Sequence, residues 1–172
     1  METWDAIRAR RNVRAYDRRP IASEDLDRIL EAGRRSPSAG NSQPWDFVLC
    51  TDPDQLRQLA QVWPDGGKHV AASAATIALV STPADDVEQR ALVWFDLGQA
   101  TMSMMLAAAD LGIGSGHSGV QDQPLAHRIL GLPEERECSL LIAFGYPGDR
   151  PLEPLRRPAR RPFEEVVHRG RW

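Results

Sequence analysis

One stretch of the chain limits every fold that the sequence can adopt. It runs from Asp86 to Leu111, and as a helix its 26 residues would extend about 39 Å at about 1.5 Å per residue. Apolar residues recur at helical spacing in its first half and leave Glu88, Arg90 and Asp96 for more polar faces. From Met102 to Ala109 all residues but one are apolar, so no face of the second half is reserved for water.

Three environments can cover such a helix: a membrane, the core of a monomer, or a partner subunit. A membrane span needs about 20 unbroken apolar residues, whereas Gln99 and Asp110 interrupt this run. A domain of 172 residues can bury a sizeable core, but this helix is longer than such an interior needs. The excess length indicates a partner subunit, and the core of a monomer stays open as an alternative.

The composition is that of one soluble domain, with 42% hydrophobic and 26% charged residues. A net charge of −3 argues against nucleic acid as the main partner. Arginines nevertheless outnumber acids at both ends of the chain, so the ends could converge on one anionic ligand or simply be solvated. Cys50 and Cys138 fall within strand-like runs and the N-terminus lacks an apolar signal core, so we expect a reducing, cytoplasmic location.

The length of 172 residues predicts a single domain over residues 1–172. The predicted strands cover residues 45–50, 76–81 and 139–144, and the predicted helices cover 3–10, 24–35, 52–62, 86–111, 124–130 and 163–167. The tail from about residue 146 to 172 contains five prolines and seven arginines. This composition predicts an extended arm rather than a packed element.

Three segments have the composition of ligand-binding sites. The arginine-rich residues 10–14 end the first helix, where they either cap its dipole or bind an anion. Residues 37–45 combine two prolines with small hydrogen-bonding residues, which is typical of a turn or of a small-ligand cradle. Residues 114–119 spell G-x-G-x-x-G, but a helix precedes them and none opens inside them, which argues against a dinucleotide fingerprint. A flexible turn or an approach to another ligand remains open.

No sequence pattern indicates a metal site or a hydrolytic nucleophile. The four histidines lack ligand spacing and companion cysteines, and no serine lies in a nucleophile-elbow context. We therefore predict no catalytic side chain and no metal ligand, and we expect the chemistry to belong to a bound cofactor.

Taken together, three segments resemble the FMN-dependent nitroreductase family: RRNVRAY at 10–16, PSAGNSQPW at 37–45 and RPFEEVVH at 161–168. Their order and spacing carry the resemblance over nearly the whole chain. It implies an α+β fold with a central, mostly antiparallel sheet flanked by helices, and an extended C-terminal arm. It also implies a homodimer packed along the long central helix, with FMN sites shared between the subunits.

The resemblance also implies roles for individual residues. Arg10 and Arg160 would bind the FMN phosphate, and Asn12 stands where the family usually has Ser. Arg14 would lie near the N1 and C2 carbonyl edge of the flavin, and the loop near Asn41 would reach the flavin of the other subunit. The implied cofactor-binding set is Arg10, Arg11, Asn12, Arg14, Pro37, Ser38, Ala39, Asn41, Gln43, Lys68, Ser118, Gly119, Arg160 and Arg161.

The implied activity is that of an NAD(P)H-dependent FMN oxidoreductase. Hydride would pass from NAD(P)H to flavin N5 and then to an electron-poor acceptor such as a nitroaromatic or a quinone. One alternative is a same-fold flavoenzyme with another reaction, such as dehydrogenation, dehalogenation or flavin fragmentation, and another is a non-catalytic flavin-binding dimer. We expect no nucleic acid and no membrane among its partners.

Overall fold

The computed structural model describes residues 1–155 and 158–172, which form seven α-helices and one four-stranded antiparallel sheet. The α-helices are α1 (Thr3–Ala9), α2 (Ser23–Arg34), α3 (Pro53–Leu59), α4 (Lys68–Ala71), α5 (Val87–Asp110), α6 (Gln123–Leu130) and α7 (Phe163–Val166). The strands are β1 (Asp46–Cys50), β2 (Ala75–Ser81), β3 (Gly114–Ser118) and β4 (Glu137–Gly145). The predicted α+β class and antiparallel sheet are confirmed, while residues 156 and 157 of the predicted arm lie outside the described part.

The sheet has the strand order β1-β2-β4-β3, and apolar side chains cover both of its faces. On one face, Ile77 and Phe144 pack with residues of α2 and α5. On the other face, Ala78 and Leu141 pack with residues of α3 and α6. Because successive side chains of a strand point to opposite faces, a strand covered on both sides is buried throughout, as β2 is. Its two polar side chains, Thr76 and Ser81, are hydrogen-bonded to Ser73 and Ser139.

The structure corrects the prediction for residues 114–119, where no strand was expected. Residues Gly114–Ser118 form β3, which pairs with β4 from the Gly114–Gly145 pair to the Ser118–Leu141 pair. Glycine and serine have low intrinsic strand propensity, so the local sequence does not predict a strand. Pairing with the apolar strand β4 supplies the stability that the residues of β3 lack.

Helix α5 buries a different part of its surface from the part that the sequence indicates. Its second half, predicted to face a partner, lies largely in the core of its own chain, where Met104 is 0% and Ala108 is 0% exposed. The reason is that α2 packs along α5 while the sheet covers its inner side. The large exposed apolar side chains of α5 are Val87, Leu92, Trp94, Phe95 and Met102. Apolar surface available to a partner therefore lies over residues 87–102.

None of the helices formed by the described residues is both long enough and apolar enough to cross a membrane.

Candidate functional site

The arginine-rich segment of residues 10–16 lies along the outer edge of β3. Asn12 forms a parallel bridge with Ser115, and the Val13 N–H donates to the Ser115 carbonyl at 2.8 Å. The Tyr16 hydroxyl donates to the Val13 carbonyl at 2.8 Å and lies 3.2 Å from the Ala143 carbonyl. Backbone hydrogen bonds to the sheet therefore fix the path of this segment.

Glycines allow the segment to approach the sheet so closely. A Cβ atom at Gly116 would lie 2.5 Å from the Val13 carbonyl oxygen, and one at Gly114 would lie 2.6 Å from a Val13 methyl group. A Cβ at Gly145 would lie 2.7 Å from the Tyr16 ring. Gly114 and Gly116, the first two glycines of the G-x-G-x-x-G pattern, thus serve the packing of the arginine-rich segment.

A buried histidine joins β3 to α4 beneath the basic residues. His69 is 5% exposed, and its Nε2 lies 3.2 Å from the Gly116 carbonyl, to which it can donate. Burial lowers the pKa of His69 and outweighs the opposite effect of this hydrogen bond, while the nearby charge of Arg14 lowers it further. Lys68 precedes His69 and is exposed at the start of α4. Arg14, Lys68 and β3 are therefore brought together around one histidine.

Arg10 and Arg160, which are 150 positions apart in the sequence, line the same cleft of about 420 Å³. Among the described residues, its lining also includes Trp4, Ile7, Arg8, Leu155 and Pro158. The tail reaches α1 through the Leu155 N–H, which lies 3.4 Å from the Arg8 carbonyl. Arg10 also lies close to Asn12, with 3.4 Å between its Nη1 and the Asn12 Oδ1. The structure thus brings together the two arginines that were predicted to bind phosphate.

Two other predicted arginines are engaged within the chain. The Arg11 Nη2 donates to an Asp149 carboxylate oxygen at 2.6 Å and to the Arg150 carbonyl at 2.8 Å. The Arg11 hydrogen bond holds the pKa of Asp149 at about 2. Arg161 donates to the Glu165 carbonyl at 3.0 Å. Arg11 therefore fastens the start of the C-terminal tail to the arginine-rich segment.

The loop of residues 37–43 adopts an unusual backbone conformation. It contains a short 3₁₀ turn at Ala39–Asn41. Gly40, Asn41 and Gln43 have φ values of 58°, 57° and 49°, in the left-handed region. Non-glycine residues adopt this region at a cost of about 1–3 kcal/mol each, so they persist where surrounding contacts hold them. One such contact joins the Gln43 N–H to the Ser38 hydroxyl at 2.9 Å.

Asp96 of α5 anchors this loop, and the sequence did not predict that role. We expected Asp96 on a polar face, but it is 1% exposed. Its Oδ2 accepts from the Ala39 N–H at 3.0 Å, and its Oδ1 accepts from the Gln99 amide at 3.1 Å. Gln99 also lies 3.3 Å from the Pro37 carbonyl. The available signal was that Asp96 precedes Ala100 by four residues and so shares the buried face of the helix.

The end of β3 has little side-chain bulk, at Ser118 and at Gly119 just after it. Ser118 is buried, and its hydroxyl donates to the Gly119 carbonyl at 3.2 Å. A Cβ atom at Gly119 would lie 3.3 Å from the ring of Trp63. The backbone at residues 118–119 is therefore confined between an aromatic ring and the sheet.

The donor set fits an anionic cofactor with a phosphate group. Among the ion pairs of the described residues, none involves Arg10, Arg14, Lys68 or Arg160. Guanidinium groups without carboxylate partners bind phosphate well because their paired N–H donors match its oxygens. The same arrangement leaves the positively charged Arg14 beside the glycine-rich strand, where it can face an electron-rich ring.

The fold is that of an α+β protein in which an arginine-rich segment lies along one edge of the sheet. The profile of the nitroreductase family matches residues 7–75 and 61–146. The chain therefore belongs to the nitroreductase family, whose members are oxidoreductases.

Individual relatives are similar over almost the whole chain. An Archaeoglobus fulgidus protein, whose name NADH dehydrogenase/NAD(P)H nitroreductase is itself a provisional assignment, is 32% identical over 175 residues that cover 99% of each chain. The solved structure of the NADPH:FMN oxidoreductase from Vibrio harveyi, complexed with NAD⁺, has a TM-score of 0.82 at 26% identity and covers 97% of this chain and 76% of that one. An FMN-dependent nitroreductase structure from Clostridium difficile has a TM-score of 0.83 at 21% identity, covers 97% of this chain and 98% of that one, and supports the fold alone.

Proposed function

We propose that this protein is an FMN-dependent oxidoreductase that takes reducing equivalents from NAD(P)H and passes them to an electron-poor small molecule, such as a nitroaromatic or a quinone. The observation that carries this proposal is the cleft in which Arg10 and Arg160 meet without carboxylate partners, beside Asn12. The Vibrio harveyi relative, named as an NADPH:FMN oxidoreductase, supports the same choice of cofactor and donor.

The chain's own residues would hold the cofactor by charge and by backbone contacts. Arg10 and Arg160 would bind the phosphate through charge-assisted hydrogen bonds, and the Asn12 amide would add a neutral donor. Arg14 would supply positive charge that stabilises a reduced flavin, and the backbone of Ser118 and Gly119 would supply polar groups that orient it. When bound, FMN supplies the two-electron redox chemistry, and no side chain is required as an acid or a base.

The proposed site is shared between two copies of the chain. Within one chain, the loop of residues 37–43 makes hydrogen bonds to α5, whereas the basic residues lie along β3. The exposed apolar side chains of α5, such as Trp94 and Phe95, give a second copy a surface on which to pack. In such a dimer, the loop of one subunit contacts the cofactor held by the basic residues of the other.

Anaerobic mixing of the FMN-loaded protein with NADH and then with NADPH tests the proposal. We expect the flavin absorbance to bleach with at least one donor and to return when a nitroaromatic or a quinone is added. Free FMN at the same concentration serves as the control for uncatalysed reduction. Failure to bleach with either donor would contradict the proposal. Bleaching without return on addition of these acceptors would favour a different flavin reaction on the same fold.

A further inference from the structure

We propose that Asp96 and Gln99 of α5 are positioning residues that hold the loop of residues 37–43 in its cofactor-binding conformation; this rests on the proposed function, in which that loop contacts FMN. We call this pair the α5 clamp. Neither residue belongs to the predicted FMN-binding set, and neither needs to touch the cofactor to act.

The hydrogen bonds of the clamp converge on the buried carboxylate of Asp96. Both carboxylate oxygens of Asp96 accept a hydrogen bond, one from the Ala39 N–H and one from the Gln99 amide. Among the described residues, no cation forms an ion pair with Asp96. Burying a carboxylate without a cation costs free energy unless hydrogen bonds compensate. These two donors therefore carry the compensation, and one of them belongs to the loop itself.

The loop needs such an external anchor because its backbone conformation is unfavourable. Asn41 and Gln43 are non-glycine residues in the left-handed region, which relax to other conformations unless contacts oppose this. Inside the loop, the Gln43 N–H bonds to the Ser38 hydroxyl. Before the loop begins, the Ser36 hydroxyl lies 2.8 Å from that of Ser103 on α5. Between these two contacts, the bond from Ala39 to Asp96 is the one that ties the 3₁₀ turn to the helix.

The position of the clamp on α5 links the loop to the exposed apolar surface. Asp96 follows the exposed Phe95 directly, and Gln99 lies three residues before the exposed Met102. One stretch of helix thus presents apolar side chains outward and holds the loop on another side. When two α5 helices pack together, the clamp fixes where each loop stands relative to the partner's basic residues.

Replacement of the Asp96 carboxylate tests the proposal with two readouts. In Asp96→Ala we expect the Ala39 amide to exchange with deuterium at least about tenfold faster and FMN to bind about tenfold more weakly in a fluorescence titration, because a hydrogen bond to a charged group is lost. Asp96→Asn retains an oxygen that accepts from the Ala39 N–H. We expect it to recover most of both properties, which a general loss of stability would not do.

Asp86→Ala is the matched control on the same helix. The Asp86 carboxylate likewise accepts a backbone hydrogen bond, from the Gln89 N–H at 2.8 Å, but at the exposed start of α5. We expect faster exchange at Gln89 and unchanged values for Ala39 exchange and FMN affinity. If Asp96→Ala fails to fold, Gln99→Met keeps the side-chain size, removes the bond to Asp96, and is expected to weaken FMN binding in the same direction.

The outcomes separate this proposal from the function on which it rests. FMN affinity or Ala39 exchange that stays at the wild-type value in Asp96→Ala would overturn the clamp while leaving the flavin function intact, as would unchanged FMN affinity in Gln99→Met where that variant is used. Wild-type protein that binds no FMN would overturn the proposed function and, with it, the cofactor role of the clamp.

Discussion

The two segments that carry most of the candidate ligand-binding residues are held in place by different kinds of contact. Residues 10–16 lie against β3 through backbone hydrogen bonds, with glycines beneath them. Residues 37–43 are bound by side chains of α5, chiefly Asp96 and Gln99. The first segment is held by the shape of the sheet, and the second by a small number of polar groups.

This difference predicts different responses to substitution. Backbone pairing tolerates changes at the exposed side chains Asn12, Arg14 and Ala15, but the sheet has no room for a larger residue at Gly114 or Gly116. The loop has open space at Gly40, yet its position depends on one buried carboxylate at Asp96. The first segment should therefore fail by steric overlap and the second by loss of a hydrogen bond.

The largest expected effect comes from Gly116→Val. Its Cβ would lie 2.5 Å from the Val13 carbonyl, so the arginine-rich segment must move away from β3. We expect a loss of about 3 kcal/mol in the free energy of unfolding, measured by urea denaturation. His117→Val is the control, because residue 117 is exposed on the opposite face of the same strand. Equal stability of the two variants would contradict the close packing described above.

A somewhat smaller effect is expected from a substitution that weakens the proposed dimer and so separates the loop of one subunit from the basic residues of the other. Phe95 is 67% exposed in the single chain, and Phe95→Glu places a charge on the apolar surface of α5. A symmetric interface suffers the change twice, so we expect dimer affinity to fall about a hundredfold, or about 2.7 kcal/mol, in sedimentation equilibrium. Leu49→Glu, on edge strand β1, should leave the association state unchanged. A folded wild-type monomer that retains flavin would refute the shared site.

Arg10→Ala tests the ligand-binding role of the first segment alone. We expect FMN to bind about thirtyfold more weakly, because charge-assisted hydrogen bonds to phosphate are worth about 1.5–3 kcal/mol. Deuterium exchange of the Ala39 amide should not change, since the loop is held from α5. Arg57→Ala removes an arginine that is already paired with Asp54 and should leave FMN affinity intact. Full FMN content in purified Arg10→Ala would contradict the phosphate assignment.

The smallest expected effect is a pH dependence of the free energy of unfolding that comes from His69, which packs against β3 beside the first segment. The pKa of His69 is lowered from 6.5, so below that pH the unfolded chain binds more protons than the folded one. The stability contribution is therefore complete above pH 6.5 and is lost as the pH falls through the folded-state pKa. Urea denaturation across this range should show a slope that His69→Gln removes. The same slope in both proteins would assign it to other groups.

The sequence predicted those elements that have a periodic apolar pattern of their own. Strands β1, β2 and β4 and helices α2, α5 and α6 were located within a few residues of their observed positions. Strand β3 was missed because its stability comes from β4, not from its own glycines and serines. The role of Asp96 was missed because its partner Ala39 lies 57 positions away, and such pairing leaves no local pattern.

The sequence likewise identified the candidate site residues but not how the fold arranges them. Sequence reasoning alone could not decide whether the two arginine-rich ends converge on one ligand, whereas the structure places Arg10 and Arg160 in one cleft. Arg11, assigned to the same set, forms an ion pair with Asp149 within the chain. Side chains of neighbouring arginines point in different directions once the backbone is folded. The local sequence therefore does not show which of them forms an ion pair with a carboxylate elsewhere in the chain.

The bridge between Asn12 and Ser115 has a consequence for solubility. The sheet has two outer strands, and the arginine-rich segment covers the free side of β3. An uncovered strand edge offers unpaired N–H and C=O groups to any extended chain, which is a common route to aggregation. Shortened forms that begin after Tyr16 should therefore precipitate even without ligand. The segment that we propose to bind the cofactor would thus also protect the protein from edge-to-edge association with its own copies.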